Sequence, residues 1–313
     1  MRICRQNWLH DVNRMKKKNY NENSSKKNID SNRKEMQEKC ASIFKDTYEK
    51  CTNNSTLKKS IEESINNTKF YVEGFKFNIS ETPIKSKEYN IIITPDRTLD
   101  TIKKYYVKND NKQKIGVLNF ASAKHPGGGV LTGARSQEES ICRSSTLYPC
   151  LITEFLNENY YSYHMFKKKN YSDRIIYVPN VIVFKTDDDI FCKIMDEKDW
   201  YNIDIISCAA HNQKAYKVDY EELKSINYKK IKAIVECAVE NNVDDLILGA
   251  FGCGAFGNDP QLVSKMFKKV LIDEKYFQFF NNVHFAIFTM PHETKNLNEF
   301  NKTFKKYLKK AYD

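Results

Sequence analysis

From Tyr89 onward, short β-branched apolar runs alternate with longer segments whose apolar positions recur every three or four residues. Ile91-Ile92-Ile93 reads as a short buried strand, Asp96 to Val107 as a helix entered after Pro95, and Lys114 to Phe120 as a second strand. Strand, helix, strand in that order implies a right-handed parallel crossover. Farther along, Ile175 to Val178, Val181 to Phe184 and Ile203 to Cys208 each read as a strand. A long helix follows from about Tyr220 to Asn241, with Ile226, Ile231, Ile234, Val235, Ala238 and Val239 on its core face. Leu246-Ile247-Leu248 opens another strand, loop and helix, the helix running through Val263, Met266, Phe267, Val270 and Leu271. A strand from Val283 to Thr289 and an amphipathic helix through Leu297, Phe300, Phe304 and Leu308 close the chain. This alternation predicts a three-layer α/β/α domain over residues 89–313.

Upstream the pattern is different. Two helical periodicities, one through Met36, Cys40, Ile43, Phe44 and Tyr48 and one through Leu57, Ile61 and Ile65, predict a helical accessory region over residues 34–88. Residues 1–33 are polar and basic, with Lys16-Lys17-Lys18, Lys26-Lys27 and many Asn and Ser, the composition of a flexible, solvated tail.

Two glycine-rich loops interrupt the α/β pattern. The first follows Phe120: Pro126 ends the apolar run, and Gly127, Gly128 and Gly129 come directly after it. Three residues without a Cβ allow positive φ and close approach of a ligand to backbone N–H groups, which suits phosphate. Gln137, Glu138 and Glu139 open the next helix, where the helix dipole favours acidic groups. A carboxylate pair a few residues from an anion cradle suggests chemistry on a sugar attached to a diphosphate. Taken singly, a glycine triplet is also a flexible turn, and a Glu pair in a first turn is also a solvated dipole partner. Asn119, polar at the end of an apolar strand, is either a ligand contact or a group bonded to neighbouring backbone.

Familiar nucleotide motifs do not fit. The spacing from Gly128 to Gly133 matches a triphosphate P-loop, but Ala134 and Arg135 stand where Lys and Ser or Thr are required. The second loop, Gly252-Cys253-Gly254-Ala255-Phe256-Gly257, is formally G-x-G-x-x-G and precedes a helix start at Asn258-Asp259-Pro260. A dinucleotide fold needs an acidic residue ending the next strand about twenty residues on. Asp273 and Glu274 instead fall at the end of a helix, with one strand left to follow.

Gly127-Gly128-Gly129, the spacer Val130 to Ser136 and Gln137-Glu138-Glu139, flanked by NFASAKHP and ESICRSSTLYPCL, resemble the signature of the compact bacterial-type poly(ADP-ribose) glycohydrolases. The resemblance implies a macrodomain-like α/β/α fold with a mixed central sheet and an N-terminal helical extension. It also implies hydrolysis of ribose–ribose O-glycosidic bonds, with poly(ADP-ribose) or ADP-ribosylated protein as partner and ADP-ribose as product ligand. In the family the second Glu of the motif, here Glu139, is the proton shuttle, while Glu138 and Asn119 hold ribose hydroxyls. Gln137 completes the motif, Gly127, Gly128, Gly129, Gly252, Cys253, Gly254, Ala255 and Gly257 surround the diphosphate, and Phe256 packs on the distal ribose. No metal and no cofactor are implied. Glycosidases usually set two carboxylates across the scissile bond. Neighbours on a helix project roughly 100° apart, so Glu138 and Glu139 are expected not to face each other, leaving one carboxylate to do both jobs. Removal of single ADP-ribose units from protein, and ADP-ribose binding without cleavage, remain the alternatives, although a pure binder would dispense with the glutamates.

Bulk properties adjust this little. A net charge of +11 in 313 residues, with pI near 9.0, fits an anionic partner. There is no stacked-aromatic RNA motif and no recognition helix, so sequence-specific nucleic-acid binding is not expected. Nine scattered cysteines without C-x-x-C suggest reduced thiols in an intracellular compartment, cytoplasmic or nuclear. No apolar run approaches the ~20 residues of a membrane span, and no signal-peptide core is visible near Met1.

Overall fold

The computed structural model describes residues 31–79, 82–107, 113–166, 172–188, 192–290 and 292–309. The expected basic tail lies outside these residues except for 31–33, which are helical.

Seven strands form one sheet: β1 (Lys69–Tyr71), β2 (Ile91–Thr94), β3 (Ile115–Phe120), β4 (Ile175–Val183), β5 (Tyr201–Cys208), β6 (Asp245–Leu248) and β7 (Asn282–Ala286). Their order is β1-β4-β5-β3-β6-β7-β2. From β5 to β2 the neighbours run parallel, and β4 and β1 add antiparallel pairings at the other edge. The sheet is therefore mixed. Its parallel part reads as continuous apolar runs because both faces are covered: Ile115, Val117 and Leu118 of β3 are all buried.

Helices cover the two faces. The principal ones are α1 (31–53), α2 (Ser55–Asn66), α3 (Thr98–Tyr105), α4 (Gln137–Ser144), α5 (Tyr220–Glu240), α6 (Pro260–Lys268) and α7 (Lys295–Phe304). One face buries Ile231 and Ile234 of α5, Phe267 of α6, and Phe300 and Phe304 of α7. On the other face Phe44, Leu57, Leu99, Ile102 and Ile141 bring α1 to α4 into a second apolar layer. Among the described residues, no helix is long and apolar enough to cross a membrane.

Two departures from the sequence pattern have local causes. The runs 175–178 and 181–184 are not separate strands but parts of β4, whose register shifts between Val178 and Val181. Asn180 takes φ 57° there, and its N–H donates to Asp204 Oδ1 at 2.9 Å, so a bulge absorbs Pro179 without ending the strand. β1 was not expected. Its three residues are too few to show a period, yet they pair with Ile175, Ile176 and Tyr177 and make the outer edge of the sheet.

Placement of the site follows from the topology. β3 lies between β5 and β6, and all three parallel strands end on the same side, so the loops after Phe120, Cys208 and Leu248 leave the sheet together. The crevice outside the carboxyl ends of such strands is where α/β sheets bind ligands.

Candidate active site

Helix α4 is fastened to β3 through the side chain of Gln137. The Phe120 N–H donates to Gln137 Oε1 at 2.8 Å, and Gln137 Nε2 donates to Leu118 O at 2.8 Å and to Thr98 Oγ1 at 3.3 Å. The amide thus continues the strand's hydrogen bonding sideways and fixes the first turn of α4 over the end of β3. Its polar atoms serve the scaffold.

With that turn fixed, Glu138 points inward and is 2% exposed. Its Oε1 accepts from Asn119 Nδ2 at 3.2 Å and its Oε2 from the Ser122 N–H at 2.7 Å. Asn119 Nδ2 also donates to Ser207 Oγ at 3.0 Å, across the β3–β5 pairing in which the two residues are register partners. Asn119 Oδ1 is buried and has no protein partner among the described residues. Burial raises the Glu138 carboxyl to about 8; Glu139 beside it adds to the rise, and the Ser122 and Asn119 bonds oppose it.

Glu139 is held differently. Its Oε1 accepts from the Gly129 N–H at 2.9 Å, whereas its Oε2 is buried with no protein partner among the described residues. Gly127 and Gly128 take φ of 65° and 62°. A Cβ on Gly128 would lie 2.3 Å from Glu139 Oε1 and 3.1 Å from Glu138 Oε2, so only glycine lets the chain pass over both carboxylates. The expectation that the triplet offers free amides to phosphate is corrected here: the Gly128 N–H donates to His125 O at 2.9 Å and that of Gly129 to Glu139. Those two N–H groups face inward because they bound the turn that closes over the glutamates.

The second loop leaves the neighbouring strand β6 on the same side. Gly252 and Gly257 have φ of 72° and 71°. Asn258 Nδ2 donates to His211 O at 2.7 Å and to Gly252 O at 3.1 Å, tying the loop to the segment after β5. Phe256 is half-buried against the core, while Gly254 and Ala255 are exposed. Burial pushes the Cys253 thiol up to about 12, which removes it as a nucleophile near neutrality. Asn119, Gln137, Glu138, Glu139 and the first loop are joined by direct bonds, and the second loop stands over the adjacent strand end.

Several supporting residues escaped the sequence pattern. Ser122 and Ser207 bond the Glu138–Asn119 pair. Ser140 Oγ donates to the buried Asp187, which also lies 4.0 Å from Arg97 and is bonded by the Leu99 backbone. His211 is buried and donates through Nε2 to Tyr216 O at 2.7 Å. Their signal is spatial, since each partner lies on a different element. A separate cleft, of about 820 Å³ between Tyr105, Lys114, Asn202 and Lys309, opens at the opposite ends of the strands and contains neither glutamate.

The description "Microbial-type PARG, catalytic domain" fits residues 36–186 of the chain, from α1 through the first loop and α4 to the end of β4. Among solved structures, the poly(ADP-ribose) glycohydrolase of Thermomonospora curvata superposes with a TM-score of 0.74 at 26% identity, covering 85% of this chain and 99% of that one. The same enzyme bound to the inhibitor ADP-HPD gives 0.72 at 27% identity over the same shares. The fold is shared with the Deinococcus radiodurans poly(ADP-ribose) glycohydrolase in complex with ADP-ribose, at TM-score 0.67 and 24% identity, covering 79% of this chain and 97% of that one. No curated protein sequence matches.

Two outcomes follow from this geometry. Gly128→Val should lower turnover by at least ~10²-fold, because displacing positioned groups by about 1 Å costs that much; steady-state kinetics at wild-type rates would show that the chain need not pass so close to the glutamates. The second concerns pH. A Glu138 carboxyl raised from 4.5 to about 8 favours the folded state fully below 4.5, and that contribution is lost as pH rises through 8. The melting temperature of the ligand-free protein should therefore fall between these pH values more steeply than that of Glu138→Gln, as scanning calorimetry would show. Equal slopes would mean that Glu138 does not titrate in this range.

Proposed function

We infer that the chain is a microbial-type poly(ADP-ribose) glycohydrolase, which hydrolyses the ribose–ribose O-glycosidic bonds of poly(ADP-ribose) and releases ADP-ribose. The observation that carries this reading is the buried glutamate pair under a glycine turn, with one carboxylate oxygen left for a substrate.

Of the two glutamates, Glu139 is the one with an oxygen that has no protein partner among the described residues. Both oxygens of Glu138 already accept hydrogen bonds from protein, from Asn119 and Ser122, which suits it to holding the ribose and leaves the proton transfer to its neighbour. In the mechanism we infer, Glu139 Oε2–H protonates the departing ribose oxygen as the bond to the anomeric carbon breaks. The resulting carboxylate then takes a proton from water as the water oxygen bonds to that carbon. Throughout, the Gly129 amide steadies Oε1. Glu138 and Asn119 Oδ1 hold the hydroxyls of the same ribose, and a Glu138 that is largely protonated near neutral pH both donates and accepts there. The diphosphate lies towards the second loop, where Phe256 packs on the distal ribose and the inherited shape at Gly252 and Gly257 keeps the backbone close. The free thiols among the described residues support a reducing, intracellular compartment for the reaction.

Incubating the pure protein with labelled poly(ADP-ribose) and, separately, with mono-ADP-ribosylated protein tests the assignment. The expected result is ADP-ribose released from polymer, with the last protein-linked unit left in place. Release from the mono-modified protein alone would make the enzyme a mono-ADP-ribosyl hydrolase, and binding of ADP-ribose without release from either would make it a reader.

A further inference from the structure

The first loop contains two positive-φ glycines, Gly133 at its far end adds a third at 77°, and internal bonds such as Val130 N–H to Gly127 O and Ala134 N–H to Gly129 O shape the turn without by themselves fixing where it sits over α4. Yet it must hold the Gly129 amide 2.9 Å from Glu139 Oε1. Its seating over the glutamates therefore depends also on the groups packed against it.

We propose that Tyr148, backed by helix α1, is a positioning residue for the reacting glutamate, acting through the glycine turn; the proposal rests on reading residues 127–139 as the reacting centre. Tyr148 lies in the short helix Leu147–Leu151 that follows α4. A Cβ on Gly127 would stand 2.7 Å from its Cδ2 and 3.2 Å from its Cε2, so the turn rests directly on the ring. Behind it, the ring meets Phe44 edge-on at 4.8 Å and Tyr48 at 5.8 Å between centroids, both from α1. Edge-to-face contacts of this kind hold a ring in one orientation at a cost in freedom that apolar burial offsets.

α1 is itself anchored to the catalytic layer. Thr47 Oγ1 donates to Arg143 O at 2.6 Å, and Lys185 pairs with Asp46 at 2.6 Å. The helix also meets the far end of the loop: a Cβ on Gly133 would fall 1.8 Å from the backbone oxygen of Gln37. Next to it, the fully buried Arg143 donates through Nη1 to Ala134 O at 2.7 Å. The span from Gly127 to Ala134 is thus braced from outside at Gly127, Gly133 and Ala134, and the Tyr148 ring braces the residue next to Gly128, the glycine that passes over the glutamates. The N-terminal helix is in this way a support of the site.

The test compares Tyr148→Ala and Tyr148→Phe in the full-length protein by three readouts: steady-state hydrolysis of poly(ADP-ribose), calorimetric ADP-ribose affinity, and hydrogen exchange of the peptide spanning residues 127–134. Removing the ring should lower kcat by at least about 10-fold, as expected for a misplaced reacting group, and speed amide exchange in that peptide. Tyr148→Phe should match the wild type within about twofold, since the ring and not the hydroxyl touches Gly127. A folded Tyr148→Ala with wild-type kcat and unchanged exchange would overturn the proposal, as would a Tyr148→Phe as impaired as Tyr148→Ala. Should Tyr148→Ala not fold, Tyr148→Leu, which keeps apolar bulk but loses the flat support, takes its place under the same criteria. If the wild type leaves polymer intact, it is the assigned reaction that fails, and the exchange measurement still decides the role of Tyr148.

Discussion

A carboxyl group taken out of water needs hydrogen-bond partners, and here the backbone N–H of Gly129 supplies one to an oxygen of Glu139. That single bond requires the chain to turn back across the top of α4. The turn in turn requires residues without a Cβ, because a side chain at Gly128 would collide with both carboxylates. Leaving a buried polar group without its partner costs roughly 1–3 kcal/mol, which is enough to make the turn and the glutamate a unit. Glu138, two hydrogen bonds notwithstanding, is buried so completely that its carboxyl favours the protonated form. Adjacent residues of the same type are thereby given different chemistry by their surroundings alone.

The rest of the fold serves that arrangement. β3 sits between two parallel neighbours and delivers Asn119 from one strand to Ser207 on the next. Gln137 clips the start of α4 to the edge of β3, so the glutamates inherit the rigidity of the sheet. On the other side, α1 and Tyr148 support the glycine turn from beneath. Polar bonds set the orientation of the site, and apolar packing keeps it from relaxing.

Much of this was legible in the chain. The α/β alternation, the strand ending at Phe120, the long helix from Tyr220 and the conjunction of Gly127–Gly129 with Gln137–Glu139 are written in local pattern and spacing. What local pattern lacks is knowledge of partners. It did not reveal that the Gly128 and Gly129 amides are used inside the protein, since the groups they meet, His125 O and Glu139, become neighbours only when the turn closes. Nor did it join the two runs on either side of Asn180, because proline and a positive-φ residue look like a strand break unless Asp204 is seen to hold the bulge. The braces by His211, Asn258 and Tyr148 depend on contacts between distant elements and carry no periodic signal.

The central claim is that Glu139 alone moves the proton while its neighbours hold the substrate. Single-turnover hydrolysis of poly(ADP-ribose) by Glu139→Gln, set beside calorimetric ADP-ribose binding to the same variant, tests it most directly. An amide keeps the shape and the bond from Gly129 but cannot carry the proton, so the rate should fall by about 10²–10⁴-fold while affinity stays within about threefold. Turnover at the wild-type rate would place the proton transfer elsewhere.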